Sequence, residues 1–252
     1  MKSADFVASL RLPAASRVDQ RVPKKLLVEN GAPTAADKRK INDGIEELTW
    51  LAALRPTNVG IPEFRDNTRE YLEVAVLDAV LRAPAKSPRL NALIHRAIPY
   101  PLLLITTHGD QMTISLAHKR SSLGGKAATV VDGALVVVPL SAPGGSDVDA
   151  AFRDAMSFAE QPHGDLLALY QGWIDTAVAL ICAQVTGKFM RASSAAVALA
   201  RREALAEWEA LDADLRKARS AAAKERQVAK RVTLNADIKR MQAKQAAARA
   251  KL

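Results

Sequence analysis

Residues 88–120 carry the clearest alternation of apolar and polar positions in the chain. Leu90, Leu93, Ile94 and Ala97 recur at helical spacing, so one face of residues 88–97 is apolar. Pro88 suits a first helical turn, where its missing N–H is not needed. Pro99 ends the helix, because the residue before a proline avoids the α region. Leu102 to Ile105 then form an unbroken apolar run, as in a strand covered on both faces. Gly109-Asp110 is turn chemistry. Beyond it Met112, Ile114 and Leu116 point one way, and Thr113 and Ser115 the other. The pattern predicts a helix entering a β-hairpin whose second strand runs into His118-Lys119-Arg120.

Upstream, residues 1–19 are weakly patterned and read as a frayed arm. Residues 21–28 read as a turn leading into a short strand. Thr34 is an N-cap candidate with Asp37 three residues on. The spacing of Ile41, Ile45, Leu48 and Leu51/Ala52 predicts one helix from Ala35 to about Leu54, ended by Arg55-Pro56. Residues 62–70 read as an irregular link and 71–81 as a strand, with Val74, Val76 and Asp78 on one face. Downstream, the turn pair Asp132-Gly133 predicts a second hairpin between Thr129–Val131 and Ala134–Leu140. Residues 141–149 read as a Gly/Ser/Pro linker. Asp165 caps a long helix to about Val185, with Leu166, Leu169, Tyr170, Trp173, Ala177, Leu180 and Ile181 as its stripe and Gly187 as its stop. The fold class is therefore α+β: a mixed sheet with β-hairpins and flanking helices, followed by a long C-terminal helix or coiled coil. The domain reading is a head over 1–160, a core helix over 161–190 and a basic Ala-rich helix over 191–252.

Ser193 or Ser194 caps that last helix. It would span about 58 residues, roughly 87 Å if unbroken. Leu234, Ile238, Met241, Gln245, Ala248 and Leu252 step four and three residues apart, a heptad seam fit for an oligomer interface and so for a homodimer. Leu205, Trp208, Leu211 and Leu215 form an earlier stripe in another register. The two stripes predict a change of phase within 216–230 or a hairpin break near Asn235.

Composition sharpens this picture at one point. The net charge of +9 is unevenly placed: residues 216–252 hold twelve Lys or Arg against two acids, Glu225 and Asp237, while the rest of the chain is close to neutral. Such asymmetry points to an acidic partner for the tail, nucleic acid or an acidic protein surface. The single Cys182 excludes a disulfide framework and a Cys-based zinc site, and fits a reducing compartment. The opening residues lack the basic-then-apolar pattern of a signal peptide. The most apolar run, Ala177 to Val185, is short beside the ~20 residues that span a bilayer. The expectation is a cytoplasmic protein.

For chemistry, a restriction-endonuclease-like centre needs an Asp and then Glu-x-Lys to hold a divalent cation and activate water. Glu73 has Ala75 two residues on, so the motif is incomplete. Glu73, Asp78 and Lys119 remain the candidates for an atypical nuclease site. Gly124-Gly125-Lys126 lacks the upstream glycine and the following hydroxyl of a phosphate loop. No His/Cys cluster suits a metal, and no cofactor is expected. For binding DNA or a partner the candidates are His118, Lys119 and Arg120, then Lys24 and Lys25, then Arg216, Lys217, Arg219, Lys224, Arg226, Lys230, Arg231, Lys239 and Arg240. Solvated charge at a strand end is the plainer account of the 118–120 triplet.

Several segments resemble one bacterial family. They are Val22-Pro-Lys-Lys25, Ile45-Glu-Glu-Leu-Thr-Trp50 with Leu54-Arg-Pro-Thr57, Ala97-Ile-Pro-Tyr-Pro101, Ala117-His-Lys-Arg120 and the run from Glu225 to Lys239. The chain resembles domain-of-unknown-function family 4391 over nearly its whole length. The resemblance implies no reaction. It implies a setting beside DNA helicases and DNA methyltransferases in restriction or phage-defence loci. The leading expectation is a non-enzymatic accessory subunit that docks a helicase or methyltransferase and whose basic tail mediates assembly, touches DNA, or both. The alternatives are a metal-dependent nuclease and a coiled-coil homodimeric scaffold.

Overall fold

The computed structural model describes residues 3–83, 85–122, 129–140 and 146–252. The chain divides into two compact units, Met1–Leu180 (the head) and Ile181–Leu252.

The head is built on a six-stranded sheet: β1 (Arg17–Arg21), β2 (Ile45–Leu54), β5 (Val74–Leu81), β6 (Leu102–His108), β7 (Gln111–Ser121) and β8 (Thr129–Leu140), in the order β1-β2-β5-β6-β7-β8. The fold class is α+β, as the sequence predicts. Only β5 and β6 run parallel, and the crossover between them is α5 (Ser87–Ala97). Every other neighbouring pair is antiparallel. A short pair, β3 (Phe64–Arg65) with β4 (Glu70–Tyr71), closes over an Asp66 turn in the segment expected to be irregular.

Alternation along the strands sorts side chains onto two faces. Ala75, Leu77, Ala79, Leu102 and Leu104 join Ile41, Leu90, Leu93, Ile94 and Ala97 in one aliphatic core. That core lies beneath α2 (Lys24–Gly31), α3 (Ala35–Gly44) and α5. The opposite face carries Asp78, bonded to Ser3 of α1 (Ser3–Ser9), and meets α7 (Leu166–Thr186) through Tyr170. On that side Phe6 stacks on Phe152 of α6 (Asp147–Ala155), ring centres 6.3 Å apart. The Trp173 indole N–H donates to the Met156 carbonyl at 2.9 Å. Among the described residues, α7 is the helix long and apolar enough to cross a membrane, but two thirds of its apolar window is buried within the protein. Apolar stripes of this kind also mark core helices.

Several expectations need correction. The helix predicted over 35–54 stops at Gly44, and Ile45 starts β2. Ile41 of the expected stripe is in α3, but Ile45, Leu48, Leu51 and Ala52 lie in a strand paired on both sides, so sheet pairing overrides local spacing. Residues 24–31 are helix α2 rather than a strand, begun after Pro23, whose fixed φ suits a helix start. Residues 3–19 form α1, a 3-10 turn and the start of β1 rather than a frayed arm. Asp132-Gly133 does not close a hairpin: β8 is one strand against β7, with a register shift across 116–118 and Gly133 at φ +81°. The Gly124-Gly125-Lys126 segment and residues 141–145 of the linker lie outside the described residues.

One close approach fixes the α2–α5 crossing. A Cβ on Gly31 would lie 2.7 Å from the Leu93 carbonyl oxygen and 2.8 Å from the Ala97 Cβ. The carbonyl cannot rotate away as a side chain would. Gly31→Ala is expected to cost about 1–3 kcal/mol by overpacking, read as a lower urea midpoint at unchanged slope.

The second unit is a helical hairpin. α8 (Ala195–Lys224) begins at the Ser194 cap, whose hydroxyl accepts from Val197 N–H. α9 (Val228–Arg249) follows after Glu225-Arg226-Gln227. The helices run antiparallel, since Gln245 donates to Asp212 and Lys251 pairs with Glu207. The break falls within 216–230, not near Asn235, and the single long helix is not formed.

Candidate nucleic-acid interface

The hairpin assembles because each helix has one low-polarity stripe. On α8 the less exposed positions include Leu205, Trp208, Leu211, Leu215, Ala218 and Ala222; on α9 and just after it they are Leu234, Ile238, Met241, Gln245, Ala248 and Leu252. The heptad seam of the sequence therefore lies on the face turned to α8 of the same chain. Stripes of small and medium side chains suit close antiparallel packing of two short helices.

What remains outside is charge. All twelve basic residues of 216–252 are exposed. Their compensation is partial. Acids answer some of them: Glu207 with Lys251 (3.8 Å), Asp212 with Arg216 (2.5 Å) and Asp214 with Lys217 (3.2 Å). Asp237 pairs with Arg240. At the tip Glu225 accepts from Gln227 N–H at 2.8 Å, and Lys244 and Arg249, farther along α9, form no ion pair with a described residue. Arg219, Lys224, Arg226, Lys230, Arg231 and Lys239 form no ion pair with a described residue. Lys224 stabilises the C-terminal end of α8, but Lys230 and Arg231 sit in the opening of α9, where the helix dipole opposes cations. Exposed Val228 and Val232 flank them along α9. A closed turn thus gathers unneutralised cations from two helix ends, an arrangement able to hold a polyanion.

The head candidates are dispersed by strand alternation. His118, Lys119 and Arg120 do not form a cationic patch. Lys119 is buried, and its ammonium donates to the carbonyls of His95 and Ile98 (the latter at 2.9 Å), closing the end of α5. Burial lowers its pKa to about 8. Arg120 and Arg69 share Asp132, at 3.7 and 2.8 Å. His118 points to the other face, towards α7. Lys24 and Lys25 lie in the first turn of α2. Lys24 donates to the Asn42 carbonyl at 2.9 Å, and Lys25 pairs with Glu29 at 3.7 Å.

The nuclease trio does not meet either. Asp78 faces α1, while Lys119 faces α5 across the sheet. Glu73, buried before β5, is ion-paired with Arg55. Burial raises the Asp78 pKa, against the Ser3 hydrogen bond that lowers it. Among the described residues no group of three His, Cys, Asp or Glu side chains is placed to hold a metal ion.

The densest polar network went unread in the sequence. The Tyr71 hydroxyl donates to His118 Nδ1 at 2.5 Å, and His118 Nε2–H donates to Gln171 Oε1 at 2.9 Å. The Gln171 amide donates in turn to Asp175 at 2.9 Å. Tyr170 lies between strands. Leu104 faces Ser115 in the β6–β7 ladder, so Leu102 and Ala117 would pair next. Instead the Tyr170 hydroxyl accepts from Ala117 N–H at 2.9 Å and donates to the Leu102 carbonyl at 2.8 Å. Burial raises the pKa of Tyr71 to about 12 and pushes Tyr170 higher still. Both phenols stay protonated at neutral pH, so this network orients groups rather than supplying a nucleophile. No local signal marks it, because its members come from β4, β7 and α7.

No curated protein and no solved structure matches the chain. A family model matches residues 10–244, under the description "Domain of unknown function (DUF4391)". The chain belongs to this family.

Proposed function

We propose that this protein is a non-enzymatic accessory subunit of a cytoplasmic DNA-processing assembly. The tip of the basic hairpin contacts DNA, and the head docks a protein partner. The resemblance stated above makes a helicase or DNA methyltransferase the class of partner. The observation that carries the reading is the concentration of basic charge about the hairpin turn: six cations from Arg219 to Lys239 form no ion pair with a described residue, against Glu225 and Asp237 as the acids of that stretch. Against the nuclease alternative stands the separation of Asp78 and Lys119 on opposite faces of the sheet. A homodimer built on Leu234, Ile238, Met241 and Leu252 would have to open the hairpin, since that stripe faces α8.

Phosphate contacts release counterions, so each lost contact lowers the slope of log affinity on log salt by about 0.9. The triple variant Arg226→Gln/Lys230→Gln/Arg231→Gln is expected to lower that slope by about 2.7. It should weaken duplex binding roughly tenfold or more near physiological salt. Fluorescence anisotropy of a labelled duplex over a salt series reads both. Duplex affinity unchanged in the triple variant, or no duplex binding by the native chain, would reject the reading.

A further inference from the structure

A second candidate binding site lies in the head, at the C-terminal end of β5, where the chain turns towards α5. A cavity of about 320 Å³ opens there, lined by Arg39, Lys40, Asp43, Gly44, Ala85, Lys86 and Leu90. Its size is at the lower end of small-molecule sites, roughly 300–1,000 Å³. The floor is apolar: Leu90 is fully buried, and Gly44 presents bare backbone. Leu90 packs directly on the bare backbone of Gly44. A Cβ there would lie 2.8 Å from Leu90 Cδ1 and 3.4 Å from the Ala85 Cβ. The rim is cationic. Arg39 and Lys86 form no ion pair with a described residue, and Lys40 reaches Asp37 only at 3.6 Å.

More cations crowd the neighbouring turn. Lys24 and Arg82 both donate to the Asn42 carbonyl, at 2.9 and 3.5 Å. Burial first, then Arg82 and Arg21, lower the Lys24 pKa. Such a concentration is out of keeping with a head whose charge is close to neutral. Arg39, Lys40, Arg82 and Lys86 are exposed about the cavity mouth, with Asp43 and Glu46 beside Lys24. The α5 start, just past Lys86, adds its positive dipole end to the same rim.

We propose that this cavity binds a nucleoside monophosphate group, with the base on Leu90, Ala85 and Gly44 and the phosphate on Arg39 and Lys86. A planar guanidinium pairs with a phosphate in two-point fashion and also stacks on a ring. Asp43, the one acid in the lining, accepts from an amino group on the base. The group arrives either as a free nucleotide or as the phosphorylated end of a strand. The site is separate from the hairpin and does not depend on it binding DNA.

The test is calorimetric titration of the full chain with 5′-dAMP, deoxyadenosine and inorganic phosphate. Binding of dAMP is expected to exceed that of either part at least tenfold. Arg39→Gln/Lys86→Gln removes the phosphate contacts from an exposed rim. Gly44→Ala drives a methyl against the Leu90 side chain and the Ala85 Cβ, and so displaces the floor. Each is expected to weaken dAMP at least tenfold while the thermal melt stays cooperative. A short single strand carrying a 5′-phosphate separates the sources. If it displaces dAMP more tightly than dAMP binds, strand ends are the ligand; if it fails to, free nucleotide is. Absence of dAMP binding overturns the proposal. So does inorganic phosphate binding as tightly as dAMP, or affinity unchanged in both variants.

Discussion

Acidification from pH 8 to pH 4.5 is expected to remove roughly 2.5 kcal/mol of stability through His95 alone. The imidazole is fully buried on α5, with Nε2 2.9 Å from the Ser115 hydroxyl and Nδ1 without a hydrogen-bond partner. Burial, and then the Lys119 ammonium beside it, lower its pKa from 6.5 to about 3. Between those values the unfolded chain binds the proton and the folded chain refuses it. Stability is therefore intact above pH 6.5 and falls as pH drops below it, by about 1.4 kcal/mol per unit. Other carboxylates act on this limb with different signs. Asp37, held low by the Arg89 and Thr34 hydrogen bonds, withdraws stability only below the ordinary carboxylate range. Asp78, raised by burial, adds stability as it takes a proton. The His95→Gln variant isolates the histidine, because the amide keeps a hydrogen-bonding partner for Ser115 and does not titrate. Urea midpoints of the two proteins should converge as pH falls from 7 to 4.5. Parallel acid limbs would show that His95 does not drive the loss.

That same histidine shows why the sequence could be read only in part. The helix around Leu90, Leu93 and Ile94 and the hairpin at Gly109-Asp110 were legible, because a 3.6-residue stripe, a proline stop and a glycine turn are local signals. The caps at Thr34, Asp165 and Ser194 were legible for the same reason: a hydroxyl or carboxylate there bonds an N–H three residues on. Residues 45–54 were misread because Ile45, Leu48 and Ala52 stand at helical spacing while register shifts between Ile45 and Glu47 and between Trp50 and Ala52 break the strand period of two, and the deciding fact is pairing with β1 and β5. Asp132-Gly133 failed similarly. A positive φ at Gly133 serves a hairpin and a bulge equally well, and only the partner strand distinguishes them. The chemistry was less legible than the fold. His118, Lys119 and Arg120 are adjacent in sequence and look like one patch. Strand alternation sends Lys119 to α5 and His118 to α7, so adjacency here means separation. The tail's charge was visible by counting. The Glu207–Lys251 pair was not, because the turn between α8 and α9 brings it together.

Tyr170→Phe is expected to destabilise the head by about 2–4 kcal/mol, although the substitution removes one atom. That oxygen stands where two strands fail to meet. It satisfies Ala117 N–H and the Leu102 carbonyl, which would otherwise pair with each other, and the Ala117 carbonyl lies 3.0 Å away as a second acceptor. Removing it leaves a buried donor and a buried acceptor unpaired, each costing about 1–3 kcal/mol. The strands cannot simply close to recover the bond. Lys119 farther along β7 is tied to the end of α5, and the Tyr170 ring packs against Tyr71 and His118, with centres 6.0 and 5.8 Å away. The loss should appear as a lower urea midpoint at constant slope. Native-state hydrogen exchange at the Ala117 amide should accelerate more than at Ser115, whose residue remains within the β6–β7 ladder. The His118–Gln171 hydrogen bond gives a control: Gln171→Leu touches the same helix without freeing the strands and should cost less than Tyr170→Phe. Equal costs would place the stabilisation in packing of α7, and a loss below about 1 kcal/mol would mean that the strands re-pair after all.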